Sequence, residues 1–407
     1  MSQDTLTQRL RATPSPEWIR EMRARYPVEP AIDEVMTRKL ENRRKGLEHV
    51  SDFASLAERL TQYLRQATAQ PQLSLANLKR LSGGASKEQF TFDLSWKDKS
   101  GQNVTRKLIL RMDPSESVVE THRLREAQML RAMVGQVPVP EVLWVDPDPH
   151  TLGHPFLIAG FLDGTVMPEG VTKASGVGML FPEKYRKALS GQFIENMAAI
   201  HQLDWRKHDL SSFKKPTPGT GEGTLWTVNL WERVWQEDTF EAHPVMEYAA
   251  CWLRRNVPVI DDPVVVHGDY RSGNFMFTPD MRINAILDWE LAHIGDYHED
   301  LSWVTMSLTG ALDESGTMLA SGMIPRPDFF RRYQEITGLP IDEKKIFYFD
   351  VFNAWKLGLI CMATSLRAAY GKRTHLDAMM NLLTGLGYIC VATVQALLES
   401  EGRGRHG

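Results

Sequence analysis

The sequence predicts an α+β chain of two lobes, a small β-rich one followed by a larger, mainly helical one, with a helical extension ahead of both. Three observations predict it. At 407 residues the chain exceeds the roughly 250–300 residues at which one hydrophobic core stops growing. Alternating apolar positions and turn residues crowd into 73–162, whereas apolar spacing on either side is helical. One short β signal, 264–288, interrupts the helical half. Hydrophobic residues make up 43% and charged residues 24%, which excludes wholesale disorder and fibrous classes.

Residues 1–72 form the extension. Pro27 and Pro30 break it into at least two helices, and Phe53, Leu56, Ala57, Leu60 and Leu64 recur at helical spacing farther on. The basic block from Arg38-Lys39 to Arg43-Arg44-Lys45 is interleaved with Glu34, Glu41 and Glu48, so it reads as a solvated helix face. Residues 73–162 form the small lobe. Gly83-Gly84 turns between strands, and Phe90, Phe92 and Leu94 alternate as on a half-buried strand. Val104 to Met112 is a strand stopped before Pro114, Glu120 to Val134 is a helix, and strands follow at 142–145 and 155–161. Residues 163–407 form the helical lobe, with helices at 182–201, 344–370 and 376–399 and a Gly/Pro-rich loop at 213–224.

The net charge of −4 leaves no electrostatic footprint for nucleic acid. Three cysteines, Cys251, Cys361 and Cys390, cannot all pair with one another and match no zinc spacing, which points to a reducing compartment. No apolar leader follows Met1 and no unbroken apolar run is long enough for a span. A cytoplasmic location without a membrane segment is expected.

The chemistry gathers in 264–288. Val264-Val265-Val266 delivers the chain into His267-Gly268-Asp269-Tyr270-Arg271-Ser272-Gly273-Asn274, and a turn at 279–281 returns it toward Asp288. A hairpin closed by Thr278 and Arg282 puts Asn274 opposite Ile286, with Asp288 diagonally about 7–8 Å away. Both offer oxygen, which suits Mg²⁺ rather than zinc. Asp269, on the loop above, is left to face a substrate hydroxyl. Phosphoryl transfer needs this division of labour, because its loose transition state is served mainly by positioning and charge neutralisation. The small lobe offers matching parts. Backbone amides of Ser82-Gly83-Gly84-Ala85-Ser86 can cover phosphate oxygens, Arg111 ends a strand, and Glu126 on the next helix can pair with it.

These residues resemble the aminoglycoside phosphotransferase/choline kinase-like family, whose members share the protein-kinase-like fold. The resemblance covers roughly residues 75–400. It rests on H-G-D-Y-R-S-G-N at 267–274 and I-L-D-W-E-L-A-H-I-G-D-Y-H-E-D-L at 286–301, supported by S-G-G-A-S at 82–86, L-I-L-R at 108–111, R-E-A-Q-M-L at 125–130 and V-P-V-P at 137–140. It implies Asp269 as catalytic base and His267 as a brace of the catalytic loop. It implies Asn274 and Asp288 as Mg²⁺ ligands, with Glu290 as an additional metal group. Ser82, Gly83, Gly84, Ala85 and Ser86 become the phosphate-covering loop, and Arg111 with Glu126 the ion pair that sets the triphosphate. Backbone groups from Ile158 through Ala159 and Gly160 to Phe161 become the hinge that reads the purine of ATP or GTP. Asp296 and Asp300 become anchors of the catalytic loop.

Arg111 stands where antibiotic-modifying relatives carry Lys. The resemblance therefore leans toward the branch associated with acyl-CoA dehydrogenases, with a hydroxylated small molecule such as a hydroxyacyl compound as acceptor. An aminoglycoside acceptor is the alternative, and it wants an acidic cleft. Glu237-Asp238 and Asp261-Asp262 are the acidic pairs available. Trp226, Trp231 and Trp235 read as core or as an aromatic wall for the acceptor, and Trp355 and Arg367 as core and surface residues or as acceptor contacts. Two rival classes are a metal-dependent oxygenase or hydrolase, using His267 and Asp269 with His293 or His298, and a non-catalytic nucleotide-binding scaffold. No nucleic-acid or membrane partner is expected, and a homodimer through the extension is left open.

Overall fold

The computed structural model describes residues 3–46, 53–81, 87–98, 100–114, 117–171, 174–175, 177–370 and 377–404. Four helices open the chain: α1 (Gln3–Ala12), α2 (Pro16–Arg25), α3 (Pro30–Lys45) and α4 (Phe53–Thr68). Pro16 and Pro30 occupy first-turn positions, where a missing N–H costs nothing. The extension serves two bodies. Leu56, Leu60 and Leu64 of α4 pack with Phe90, Phe92 and Phe156 of the small lobe, whereas Ile32 and Met36 of α3 join the core of the helical lobe.

The basic block of α3 is only in part the solvated face its sequence predicts: Arg44 and Lys45 are exposed, but Lys39 and Arg43 turn inward. Lys39 Nζ lies 3.0 Å from Asp238 and 3.4 Å from Glu237, and Arg43 lies 2.7 Å from Asp238, all nearly excluded from water. The acidic pair Glu237-Asp238 is therefore spent inside the fold. The extension docks on its own chain.

The small lobe is built on a five-stranded antiparallel sheet of β1 (Ser74–Arg80), β2 (Glu88–Lys97), β3 (Asn103–Met112), β4 (Val142–Asp146) and β5 (Phe156–Gly160), in the order β1-β2-β3-β5-β4. Phe90 and Phe92 pair with Leu110 and Leu108, so one face of each strand is apolar and packs under α4. Helix α5 (Arg123–Met133) links β3 to β4, and the single turn α6 (Pro149–Leu152) links β4 to β5.

The larger lobe begins with the short pair β6 (Ala174–Ser175) and β7 (Gly178–Met179), followed by α7 (Glu183–His201), α8 (Glu222–Asp238) and α9 (Pro244–Arg255). Strands β8 (Val264–Val266), β9 (Phe275–Phe277), β10 (Ile283–Ile286) and β11 (His293–Gly295) then form two pairs, β9 with β10 and β8 with β11. After α10 (His298–Thr305) comes a three-stranded ribbon that the sequence reading misses, β12 (Ala311–Leu312), β13 (Met318–Ala320) and β14 (Ile324–Pro325). Helices α11 (Arg326–Thr337), α12 (Glu343–Leu359), α13 (Ser365–Tyr370) and α14 (Asp377–Gly404) complete the chain. A π turn at Ile360–Thr364 joins α12 to α13.

Two helical stretches, Glu343–Arg367 and Leu383–Glu401, are long and apolar enough to cross a membrane by length and composition alone. The sequence reading counts unbroken apolar runs and passes over both. The first is mostly buried in the core, as core helices of its kind are.

Candidate active site

The predicted hairpin forms with a one-residue correction. Phe277 pairs with Ile283 and Phe275 with Ile286, but Asn284 is an extra residue on the return strand. Its side-chain amide donates to the Asp163 carbonyl at 2.7 Å, which holds the bulge. Asn274 consequently faces Leu287, whose amide donates to the Asn274 carbonyl at 2.8 Å, rather than Ile286. Asp288 follows at once, in the left-handed region with φ 58°.

The loop ahead of the hairpin hangs on Asp300. Its carboxylate accepts from the His267 amide at 2.7 Å, the Gly268 amide at 2.9 Å and His201 Nε2 at 3.2 Å. Burial alone would raise its pKa. The hydrogen bond and charge of His201, with His267 and its amide, outweigh that and hold it below the usual carboxylate range. His267 donates from Nε2 to the Leu287 carbonyl at 2.9 Å and accepts the Asp269 amide at Nδ1. That tautomer is neutral, and burial depresses its pKa in the same sense. Gly268 is required between them: its φ is 80°, and a Cβ there would lie 2.8 Å from the Leu291 carbonyl. Asp296 does not touch this loop. It accepts from His298 and Lys345 instead, an anchor for α10 and α12.

Asp269 is held at both oxygens. Oδ1 accepts from Arg271 Nε at 2.8 Å and Trp303 Nε1 at 3.0 Å, and Oδ2 accepts from the Asn274 side-chain amide at 2.6 Å. Asn274 also donates to the Asp269 carbonyl, so its amide nitrogen is committed and its oxygen is the end left for a ligand. Across the lobes, Arg111 bridges two carboxylates, Glu126 at 2.8 Å and Asp288 at 2.9 Å. Burial works against its charge, but those two carboxylates with Glu290 raise its pKa above the ordinary guanidinium value. The Asp288 side chain keeps 40% exposure, enough to meet a ligand.

Other predicted residues fall less directly. Ser82, Gly83, Gly84, Ala85 and Ser86 lie outside the described residues. Ala159 is buried in β5. The amides of Gly160 and Phe161 donate to the carbonyls of Glu141 and Lys107, so any purine contact from this stretch falls to carbonyl oxygens or to residues beyond it. Glu290 sits 3.6 Å from Lys87 Nζ and is buried, which raises its pKa. Trp226 and Trp231 line a cleft described below, but Trp235 turns away to donate to Glu247. Trp355 is core, donating to the Met246 carbonyl, and Arg367 donates to the Asp238 carbonyl over the Phe240 ring.

Sequence reasoning misses five side chains around this centre. Lys87 is fully buried, donating to the Val119 carbonyl at 2.9 Å and facing Asp113. Arg123 joins Asp113 to Glu126. Trp303 and Arg271 hold the Asp269 carboxylate. Lys356 donates to the Gly268 carbonyl and to Glu299, both at 3.1 Å, and lies over the Trp303 ring. Lys356 has a readable signal, a lone cation inside the apolar run F-N-A-W-K-L-G-L-I, since lysine is buried almost only when paired.

A narrow cleft, with about 50 Å³ of room for water-sized spheres, has this lysine in its lining. Its apolar lining includes Val118, Val119, Trp226, Leu230, Trp231 and Val234, and its polar lining includes His293, Glu299 and Lys356. His293 donates to the Leu291 carbonyl and pairs with Glu299 at 3.2 Å; burial opposes its charge, but Glu299 raises its pKa. His298 is tied to Asp296 and the Asp342 amide. Neither histidine is available to a facial triad, and among the described residues no three His, Cys, Asp or Glu side chains gather into a metal-binding group.

Residues 77–339 match the family described as "Phosphotransferase enzyme family". Among curated relatives, mouse acyl-CoA dehydrogenase family member 10 is 27% identical over 289 residues, covering 68% of this chain and 26% of that protein. Probable acyl-CoA dehydrogenase IBR3 of Arabidopsis thaliana is 27% identical over 319 residues, covering 71% of this chain and 38% of that protein. The chain thus spans well under half the length of these relatives. A crystal structure from Ralstonia eutropha, provisionally described as an aminoglycoside phosphotransferase, superposes with a TM-score of 0.58 at 22% identity, over 83% of this chain and 98% of the other. That likeness concerns the fold, which is kinase-like.

Proposed function

The chain belongs to the phosphotransferase enzyme family, and from that premise we propose that it transfers the γ-phosphoryl group of ATP, or of GTP, to a hydroxyl of a small metabolite, with hydroxyacyl-type compounds as the acceptor class. The observation that carries the reading is the hydrogen-bond state of Asp269. A carboxylate offers about four acceptor sites. Arg271, Trp303 and Asn274 take three of them, which leaves one on Oδ2 for an acceptor O–H. Held this way, the carboxylate orients the hydroxyl and accepts its proton as the oxygen attacks phosphorus.

Asn274 and Asp288 are suited to Mg²⁺. Both present oxygen, the Asn274 amide nitrogen is already committed, and Mg²⁺ is commonly held by one or two carboxylates together with phosphates and water. Bound there, the ion would neutralise charge on the phosphates. Glu290 faces Lys87, a partner that competes with any metal role. Arg111 forks in the plane between Glu126 and Asp288, a geometry that also suits phosphate oxygens. His267 stays neutral and acts as a brace, not as a proton carrier.

The cleft at Lys356 supports an acceptor with apolar surface better than a polycation. Its tryptophan and valine lining repels a polyammonium sugar; of its four lining carboxyls, Glu29, Glu290 and Glu299 each face a cation of the protein, and burial pushes the pKa of the fourth, Glu120, up to about 7. The test is acceptor-dependent ADP release with Mg–ATP across a panel of hydroxy acids and aminoglycosides. Asp269→Asn should lower turnover by about 10²–10⁴ while nucleotide binding persists. Preferential phosphorylation of kanamycin-class sugars would sink the acceptor assignment. Nucleotide binding without transfer to any hydroxylated acceptor would sink the reading itself.

A further inference from the structure

Lys356 lies outside the family match at 77–339, and its side chain is 1% exposed. Burying an ammonium is expensive, and an apolar side chain of similar volume is often neutral or stabilising in place of one half of a buried ion pair once the other half is removed as well. Stability alone therefore does not account for this charge. Its Nζ donates to the Gly268 carbonyl at 3.1 Å and to Glu299 Oε1 at 3.1 Å, and it lies 4.5 Å from the centre of the Trp303 ring.

Two of those contacts lead to Asp269 by separate routes. The Gly268 carbonyl belongs to the same planar peptide unit as the Asp269 N–H, and that N–H donates to His267 Nδ1 at 3.2 Å. The plane is thus gripped at its oxygen by Lys356 and at its hydrogen by His267, which sets the direction in which the Asp269 side chain leaves the backbone. The second route runs through Trp303, whose Nε1–H donates to Asp269 Oδ1 at 3.0 Å. A cation over an indole face is attracted by the ring quadrupole. It also draws electron density from the ring, which makes the N–H a stronger donor.

The ammonium is itself held in place. Glu299 and Trp303 lie one turn apart on α10, on the face turned to Lys356. Asn353, one turn before Lys356 on α12, donates to the Glu299 carbonyl at 2.9 Å and to Ser302 Oγ at 3.0 Å. The other Glu299 oxygen pairs with His293 at 3.2 Å. Resting on the phosphotransfer reading above, we infer that Lys356 is a positioning residue for Asp269: its ammonium aims the Gly268–Asp269 peptide and strengthens the Trp303 hydrogen bond, so that Asp269 Oδ2 is presented to the acceptor hydroxyl. Lys356 does not touch the reacting atoms.

The test separates positioning from stability. Lys356→Met keeps the length and removes the charge, and Glu299→Gln removes the carboxylate that this would strand. Lys356→Met should lower kcat roughly tenfold or more, with the KM for Mg–ATP unchanged. In the Lys356→Met/Glu299→Gln protein the melting midpoint should return toward wild type while kcat stays low. If the single variant does not fold, this double variant carries the comparison. Added to Trp303→Phe, Lys356→Met should cost less than it does alone, because one of its two routes is already cut. A further readout needs no acceptor. In nitrogen–proton correlation spectra of the full chain, the Trp303 indole N–H, assigned by its disappearance in Trp303→Phe, should move upfield in both Lys356 variants. The inference is overturned if kcat recovers together with stability in the double variant, or if the indole resonance does not move. If none of these proteins phosphorylates a hydroxylated acceptor, the phosphotransfer reading falls, and the indole resonance alone decides whether Lys356 governs the Trp303–Asp269 bond.

Discussion

Replacing Asp300 measures how much of the loop that begins at His267 depends on one carboxylate. That side chain is 1% exposed and accepts from two backbone amides, those of His267 and Gly268, as well as from His201. Asp300→Ala leaves all three donors without an acceptor. An orphaned buried donor costs about 1–3 kcal/mol, so the loss should be about 3–6 kcal/mol, net of any repair by entering water. Asp300→Asn keeps one acceptor oxygen and should cost roughly half as much. Urea unfolding followed by tryptophan fluorescence reads both, as midpoint shifts at constant slope. The pH dependence has a definite sign. The folded pKa of Asp300 lies below its ordinary value near 3.8, so its contribution is complete above that value and fades as pH falls toward the lower, folded one. Wild type should therefore lose stability more steeply below about pH 4 than Asp300→Asn. A loss under about 1 kcal/mol in Asp300→Ala would refute the reasoning, because the loop amides would then have other partners.

Trp303→Phe removes the indole donor to Asp269 Oδ1 but keeps a ring beside Lys356. Turnover should fall roughly tenfold, the worth of one hydrogen bond to a charged group, with nucleotide affinity unchanged; equal losses in both would argue for a structural role. Arg111→Met should weaken Mg–ATP binding roughly 10- to 100-fold, and Arg111→Lys should recover part of it, since a point charge cannot bridge Glu126 and Asp288 at once. Nucleotide titration of the three proteins decides this, and equal affinities would dismiss Arg111 from the phosphate site. Lys39→Met should cost about 3 kcal/mol alone and clearly less in an Asp238→Asn background. Additivity within about 0.5 kcal/mol in that double-mutant cycle would mean that the buried pair is not coupled.

The site is most readable where it is most local. His267, Asp269, Asn274 and Asp288 lie on one loop and one hairpin, so spacing alone relates them, and only the Asn284 bulge displaces the register. Arg111 and Glu126 come together because α5 is the element that follows β3 along the chain. What the sequence hides is tertiary. Lys39 and Arg43 look like a solvated face until α8 brings Asp238 against them, and Lys87 and Arg123 are ordinary surface types until Asp113 and Glu126 enclose them. Trp303 is passed over because nothing in its own neighbourhood reveals that its N–H ends on Asp269. The ribbon at 311–325 is made of two- and three-residue strands, too short for alternation to register.

The π turn between α12 and α13 settles a question of phase. An α-helix advances about 100° per residue, and a π turn takes in one extra residue without lengthening the ladder of hydrogen bonds in proportion. Lys356 lies before the turn and points to the Gly268 carbonyl. Thr364, within it, lines the cleft, and Arg367, just after it, reaches the Asp238 carbonyl and the Phe240 ring. With a regular helix through 360–364, the side chains after the turn would be rotated by about a quarter turn or more relative to Lys356, and Arg367 would leave the ion cluster that secures α3. One surplus residue thus indexes the His267–Asp269 loop, the cleft and the docked extension to a common angular origin.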